Sequence, residues 1–116
     1  GVNSAKKYLF SLEERIQFVE KVFADEPKVS VESFQGLTVD FCKNRGANYI
    51  LRGLRTSADF EFERSIAQVN KQMVPNLETI FILTTPELSA INSTIVRDIY
   101  RNGGDVSPFV PEGLDL

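Results

Sequence analysis

The sequence predicts an α/β fold, an open parallel sheet covered by helices. Helical and strand patterns alternate along the 116 residues without an internal repeat, and such alternation is typical of parallel sheets with helical crossovers. Residues 80–83 (Ile-Phe-Ile-Leu) form a continuous β-branched and aromatic run, which predicts a strand buried on both faces. The chain is long enough for one domain and too short for two, so we expect a single domain over residues 1–116.

The first half of the chain predicts two helices and a short strand. Residues 11–14 (Ser-Leu-Glu-Glu) match a capping box, which marks a helix start, and Pro27 ends that segment. The alternation of residues 29–33 predicts a strand. Residues 37–45 predict a short helix, closed by Gly46.

The second half continues the alternation. Residues 49–51 predict a strand that ends at Arg52-Gly53. The longest helix is expected from Ser57 to Val74, because its apolar residues recur at helical spacing and a proline follows. Residues 84–92 predict a loop, and residues 93–102 predict a helix.

Composition excludes several kinds of chemistry within this chain. The net charge of -3 provides no general basic field for nucleic acid, and no apolar run approaches the roughly 20 residues of a membrane span. The absence of histidine excludes a Ser-His-Asp triad and a His-ligated metal. The single Cys42 fits a reducing, cytosolic compartment and is expected to be a small core residue. The remaining chemistry depends on cations, backbone amides, hydroxyls and carboxylates.

Two predicted loops are candidates for anion binding. In residues 52–57 (Arg-Gly-Leu-Arg-Thr-Ser), two arginines flank a glycine between a strand and a helix start. Arginine presents a planar fork to phosphate oxygens, and a helix start offers free N–H groups. Residues 91–97 place an Asn-Ser-Thr run at another helix start, with Arg97 one turn further on. We expect both loops at the edge of the sheet where ligands of such folds bind.

Acidic residues near the first loop predict no metal site. Asp59 and Glu63 are four residues apart, so they share one helix face. Their spacing shows no metal-ligand pattern, and interaction with the helix dipole is the simpler interpretation.

These motifs together resemble a known family. Arg52-Gly53-Leu54-Arg55, followed by residues 58–63 (Ala-Asp-Phe-Glu-Phe-Glu), resembles a stretch of bacterial phosphopantetheine adenylyltransferases. Residues 91–97 resemble the ISSTxVR element of the same family. Residues 4–7, 10–15 and 104–106 also match in order and spacing. The resemblance covers essentially the whole chain and implies a Rossmann-like nucleotidylyltransferase fold.

The resemblance also implies a reaction. The phosphate of 4'-phosphopantetheine attacks the α-phosphorus of ATP, giving dephospho-coenzyme A and pyrophosphate. It further implies a requirement for Mg²⁺ with ATP, binding of coenzyme A or its dephospho form, and a cytosolic homohexamer.

Residue roles follow from the matching positions. Lys6 and Arg55 correspond to catalytic residues. The residues expected to bind the pantetheine substrate are Lys6, Leu37, Thr38, Arg52 and Asn70. The residues expected to bind ATP are Gly53, Leu54, Arg55, Glu63, Leu88, Ser89, Ala90, Ile91, Asn92, Ser93 and Thr94.

The sequence departs from the family pattern in three places. The Gly-rich TxGH-type motif and its histidine are absent, which predicts a chain lacking the first βα unit. Asn92 replaces a usual serine, and Phe62 replaces a usual tyrosine. Two alternatives therefore stay open: a related enzyme acting on nicotinamide mononucleotide, and a module that binds these ligands without catalysis.

Overall fold

The computed structural model describes residues 1–3 and 5–116; Ser4, part of one family-like motif, lies outside the described residues. The chain divides into two compact units, here called the central unit (residues 36–90) and the terminal unit (residues 1–35 and 91–116). In chain order the elements are α1 (Leu12–Val22), α2 (Thr38–Arg45), β1 (Tyr49–Leu54), α3 (Ser57–Met73), β2 (Glu78–Leu83) and α4 (Ser93–Arg101). Single domain organisation over residues 1–116 stays a prediction.

The central unit is built around a parallel pair of strands. The β1 and β2 strands pair in register from Tyr49 opposite Glu78 to Leu54 opposite Leu83, and the Thr84 N–H extends the ladder by donating to the Leu54 carbonyl at 2.8 Å. The predicted end of the first strand at Leu51 was therefore wrong. Pairing with β2 carries the strand through Arg52 and Gly53, because ladder bonds outweigh the weak strand preference of glycine.

A small core lies between the helices and one face of this sheet. Val39 and Leu77 are each 2% exposed, and they pack with Cys42, Ile50 and Val74. Cys42 is buried with a free thiol, which confirms its predicted core position. The parallel sheet flanked by helices confirms the predicted fold class.

The opposite face of the sheet is exposed. Next to the exposed Glu78, this face carries apolar side chains that are between 46% and 64% exposed: Tyr49, Leu51, Ile80 and Ile82. The expectation that β2 is buried on both faces was therefore wrong for this chain. A run of β-branched residues indicates that the segment prefers to form a strand. Whether one or both faces of that strand are buried depends on which other elements pack against it.

The terminal unit begins with a fully formed capping box. The Glu14 N–H donates to Ser11 Oγ at 3.1 Å, and the Ser11 N–H donates to Glu14 Oε2 at 2.8 Å, as the sequence predicts. The Phe10 ring meets the rings of Phe18 and Tyr100 edge-on at centroid distances of 5.0 and 5.3 Å. These contacts join the start of α1 to α4.

The predicted strand at residues 29–33 was wrong, because that segment forms no strand. Alternation of side chains produces a strand only where a second strand pairs with it. The neighbouring Phe34 carbonyl accepts a backbone hydrogen bond from the Val2 N–H at 2.8 Å.

Gly104 lies close to the end of α4. A Cβ atom at this position would come within 2.7 Å of Ile99 Cγ2, closer than such atoms pack. The family-like Gly104-Asp105-Val106 motif therefore has a structural reason for its glycine. None of the helices in residues 1–3 and 5–116 is both long and apolar enough to cross a membrane.

Leu77→Ala tests the core of the central unit. We expect it to lower the free energy of unfolding by about 2–3 kcal/mol, because it removes a 2% exposed side chain and leaves a cavity. Leu83→Ala is the matched control: Leu83 is 74% exposed, so its truncation should change stability by less than about 0.5 kcal/mol. Urea unfolding measures both, and equal losses would contradict this core.

Candidate functional site

A pocket of about 290 Å³ opens between α2, β1, α3 and β2 of the central unit. It brings together four of the residues predicted to bind the pantetheine substrate: Leu37, Thr38, Arg52 and Asn70. These residues come from positions up to 33 apart in the chain. Apolar side chains such as Ile66 and Met73 supply much of the remaining wall. The pocket therefore combines an apolar lining with one arginine, one carboxylate, two hydroxyls and one amide.

The cation of this pocket is held by a carboxylate. Arg52 Nε donates to Glu63 Oε2 at 3.0 Å, and Arg52 Nη2 donates to Glu63 Oε1 at 2.6 Å. The hydrogen bond to Glu63 raises the pKa of Arg52 further above its usual value. Arg52 therefore stays charged at every physiological pH.

A second pocket of about 400 Å³ lies on the other side of this pair. Its lining comprises Arg52, Gly53, Arg55, Ala58, Asp59, Phe62 and Glu63. Arg55 Nε lies 3.4 Å from Asp59 Oδ2, and the Arg55 N–H donates to the same oxygen at 3.2 Å. Each carboxylate that lines this pocket is thus paired with one arginine: Glu63 with Arg52 of β1, and Asp59 with Arg55 of the loop that follows.

The start of α3 is capped by the loop itself. The Thr56 hydroxyl accepts a hydrogen bond from the Asp59 N–H at 3.1 Å, in the manner of a helix N-cap. The Thr56 hydroxyl and the Asp59 N–H thus bond each other rather than a ligand. The strongest anion-binding groups of this loop are therefore the two guanidinium groups.

The boundary between the two units falls within residues 88–94, which are predicted to bind ATP. Residues 88–90 belong to the central unit and residues 91–94 to the terminal unit. In the central unit, Ser89 Oγ donates to the Pro86 carbonyl at 2.9 Å, following a single turn at Pro86–Leu88. The shared edge predicted for the two anion-binding loops stays a prediction.

In the terminal unit, α4 begins with an asparagine cap. Asn92 Oδ1 accepts a hydrogen bond from the Ile95 N–H at 2.9 Å, so this residue performs the capping that a serine would perform. Ser93 and Thr94 are exposed in the first turn, which contains no acidic residue. Arg97 Nη2 donates to Thr94 Oγ1 at 3.3 Å. The turn therefore carries hydroxyls and a cation without a competing carboxylate.

Lys6, the remaining predicted substrate residue, is exposed in the terminal unit. Its backbone N–H donates to the Asn3 carbonyl at 3.1 Å. Among residues 1–3 and 5–116, no group of three or more Cys, Asp or Glu side chains is arranged to hold a metal ion.

Comparison with known proteins identifies the family. A family model described as cytidylyltransferase-like matches residues 2–99. A protein of Flavobacterium psychrophilum named phosphopantetheine adenylyltransferase is 57% identical over 98% of this chain and 75% of its own length. The chain belongs to the phosphopantetheine adenylyltransferase family. Relatives with the same name in Flavobacterium johnsoniae and Phocaeicola vulgatus are 53% and 46% identical, over 98% and 100% of this chain and 74% and 76% of theirs.

For this phosphopantetheine adenylyltransferase family member, sequence reasoning missed part of the pocket wall. Ile66 and Met73 are among the apolar residues whose helical spacing predicts α3, and both also line the first pocket. Thr79 lines it from β2, and no motif marks that residue. The pairing of Arg52 with Glu63 spans eleven positions, and no local pattern predicts it.

Thr56→Ala tests the cap that holds the loop. We expect it to lower the free energy of unfolding by about 1 kcal/mol, because the Asp59 N–H loses its hydroxyl partner. Thr85→Ala is the matched control, since Thr85 precedes a short turn without a side-chain cap bond. Chemical denaturation compares the two, and an equal effect would show that the Thr56 hydroxyl does not cap α3.

Proposed function

We propose that this chain carries out adenylyl transfer from ATP to 4'-phosphopantetheine, giving dephospho-coenzyme A and pyrophosphate in coenzyme A biosynthesis. The observation that carries the proposal is the first pocket. It gathers Leu37, Thr38, Arg52 and Asn70, which the family resemblance independently predicts as the pantetheine site. Membership of a family whose relatives are named for this reaction supports it.

The pocket chemistry suits a phosphorylated pantetheine arm. The arm is a flexible chain with apolar segments, two amide groups and a terminal phosphate. Apolar side chains of α3 match its aliphatic parts, and the Asn70 amide and Thr38 hydroxyl match its amides. Arg52 matches the phosphate, because a guanidinium binds phosphate oxygens through two parallel hydrogen bonds.

The reaction needs positioning more than acid–base catalysis. A phosphate oxygen of 4'-phosphopantetheine forms the new bond to the α-phosphorus of ATP, and the bond from that phosphorus to the β-phosphate bridging oxygen breaks. The nucleophile is already an anion, so no strong base is required, and stabilising the developing charge dominates. We assign that stabilisation to Lys6 and Arg55, with Arg52 holding the attacking phosphate.

We assign ATP to the second pocket and to residues 88–94. Gly53 and Arg55 line that pocket, whereas Leu54 is 7% exposed and offers chiefly its backbone. Exposed hydroxyls at Ser93 and Thr94, with Arg97 nearby, suit the phosphate tail because a helix start attracts anions.

Magnesium is proposed to arrive with the nucleotide. Mg²⁺ is usually bound by substrate phosphates and one or two carboxylates rather than by an all-protein cage. The two carboxylates of the second pocket, Asp59 and Glu63, are each paired with an arginine, a donor set that fits an ion held chiefly by phosphate oxygens. When bound, the ion neutralises phosphate charge. A cytosolic homohexamer is proposed on the family resemblance. The net charge of -3 and the lack of a long apolar run support the proposal that it binds no nucleic acid and no membrane.

Ligand binding tests the proposed substrate directly. Titration calorimetry should show binding of 4'-phosphopantetheine and of dephospho-coenzyme A. Pantetheine, which lacks the phosphate, should bind at least about tenfold more weakly, because a charged hydrogen bond contributes about 1.5–3 kcal/mol. Preferential binding of nicotinamide mononucleotide would instead favour the related enzyme class. Turnover is followed by pyrophosphate release from ATP.

Arg52→Ala tests the phosphate contact. We expect the affinity for 4'-phosphopantetheine to fall about 10- to 100-fold, with a smaller loss for ATP, because the substitution removes the phosphate-binding fork. Arg64→Ala is the control, since Arg64 is an exposed arginine on the same helix as Glu63 and pairs with Glu61 at 3.2 Å. Equal losses for both ligands would refute the assignment of Arg52 to the pantetheine phosphate.

A further inference from the structure

The two side chains of the Arg52–Glu63 ion pair differ in their exposure to solvent, which indicates a different role for each. The side chain of Glu63 is 14% exposed, whereas that of Arg52 is 52% exposed. Both carboxylate oxygens of Glu63 accept from the same guanidinium. A largely buried carboxylate without a partner is strongly disfavoured, so Arg52 satisfies Glu63. In return, the guanidinium is fixed on one edge and keeps its other N–H groups for a ligand.

The pair lies where the two pockets adjoin. Arg52 and Glu63 both line the first pocket and the second pocket. They reach this place from different elements: Arg52 faces α3 from β1, opposite Phe81 in the strand register, and Glu63 lies in α3. Any phosphate passing between the pockets meets this guanidinium, so its orientation matters for binding.

Two physical effects of Glu63 on a bound phosphate have opposite signs. Its negative charge repels phosphate, so removal of the charge alone would tighten phosphate binding. Its two carboxylate oxygens hold the long Arg52 side chain in one orientation before a ligand arrives, which lowers the entropy cost of binding. Loss of this two-point contact would therefore weaken phosphate binding. Whether phosphate affinity rises or falls when Glu63 is replaced distinguishes the two effects.

We propose that Glu63 is a positioning residue, which holds the Arg52 guanidinium in the orientation that accepts the phosphate of the acceptor substrate. On this view Glu63 acts on the acceptor phosphate through Arg52. The proposal rests on the proposed function for the identity of the ligand.

A double-mutant cycle tests this role by calorimetry with 4'-phosphopantetheine. With Arg52 present, Glu63→Gln should weaken 4'-phosphopantetheine binding about three- to tenfold. In an Arg52→Ala background no guanidinium remains to be positioned, so Glu63→Gln should leave this affinity equal or tighter, because only the repulsion is removed. Tighter phosphate binding in Glu63→Gln with Arg52 present would overturn the proposal in favour of simple charge repulsion. A loss of 4'-phosphopantetheine affinity that persists in the Arg52→Ala background would also overturn it, because Glu63 would then act without Arg52.

Two further variants control for structure and charge. Glu61→Gln removes a carboxylate from the same helix that is 67% exposed and paired with Arg64, and it should leave the affinity for 4'-phosphopantetheine unchanged. Glu63→Asp keeps the charge with a shorter reach, so it should restore part of the affinity lost in Glu63→Gln. If Glu63→Gln fails to fold, Glu63→Asp carries the test, and phosphate affinity equal to or tighter than that of the unaltered chain would overturn the proposal.

A ligand-free measurement separates this proposal from the proposed function. NMR can follow hydrogen exchange of the Arg52 Nε–H, which donates to Glu63. We expect Glu63→Gln to accelerate this exchange at least about fivefold, because a neutral amide is a weaker acceptor than a carboxylate, and Glu61→Gln to leave it unchanged. Absence of 4'-phosphopantetheine binding to the unaltered chain would defeat the proposed function alone. Equal exchange in Glu63→Gln and the unaltered chain would defeat the positioning role.

Discussion

The parallel pairing of β1 with β2 is the constraint on which the candidate site depends. Because parallel strands need a long crossover between them, α3 must run back along one face of the sheet. That path brings Glu63 into contact with Arg52. It also places Asn70 in the wall of the pocket that Ile50 and Thr79 line from the strands. The register also keeps Arg52 and Gly53 inside the ladder. The arginine is thereby attached to rigid backbone rather than to a free loop.

Charge at the site is balanced by local pairing. Arg52 of β1 pairs with Glu63 of α3, and Arg55 of the loop that follows pairs with Asp59. Such pairing reduces the net positive potential, yet it orients the guanidinium groups before any ligand arrives. A site that transfers a charged group gains from orientation as much as from charge, since positioning supplies much of the catalysis of phosphoryl and nucleotidyl transfer.

The two proposed substrates are supported by different parts of the chain. The first pocket, to which we assign the acceptor substrate, lies wholly within residues 36–90. The residues expected to bind ATP are shared between the units, because residues 88–90 and 91–94 fall on either side of the boundary. The pantetheine side of the proposal is therefore carried by observed geometry, and the nucleotide side by helix-start chemistry and family resemblance.

The sequence by itself determined the helices, the arginine and hydroxyl motifs between the elements, and the family. Caps and breakers act over a few residues, so the start at Ser11, the stop at Gly46 and the span from Ser57 were predictable. Strands depend on partners distant in sequence, which explains why residues 29–33 formed none and why β1 continued through Gly53. Only the tertiary structure decided that Glu63 binds Arg52 and that Ile66 and Met73 line a pocket. Those contacts join separate elements, and no local pattern of residues encodes such a distance.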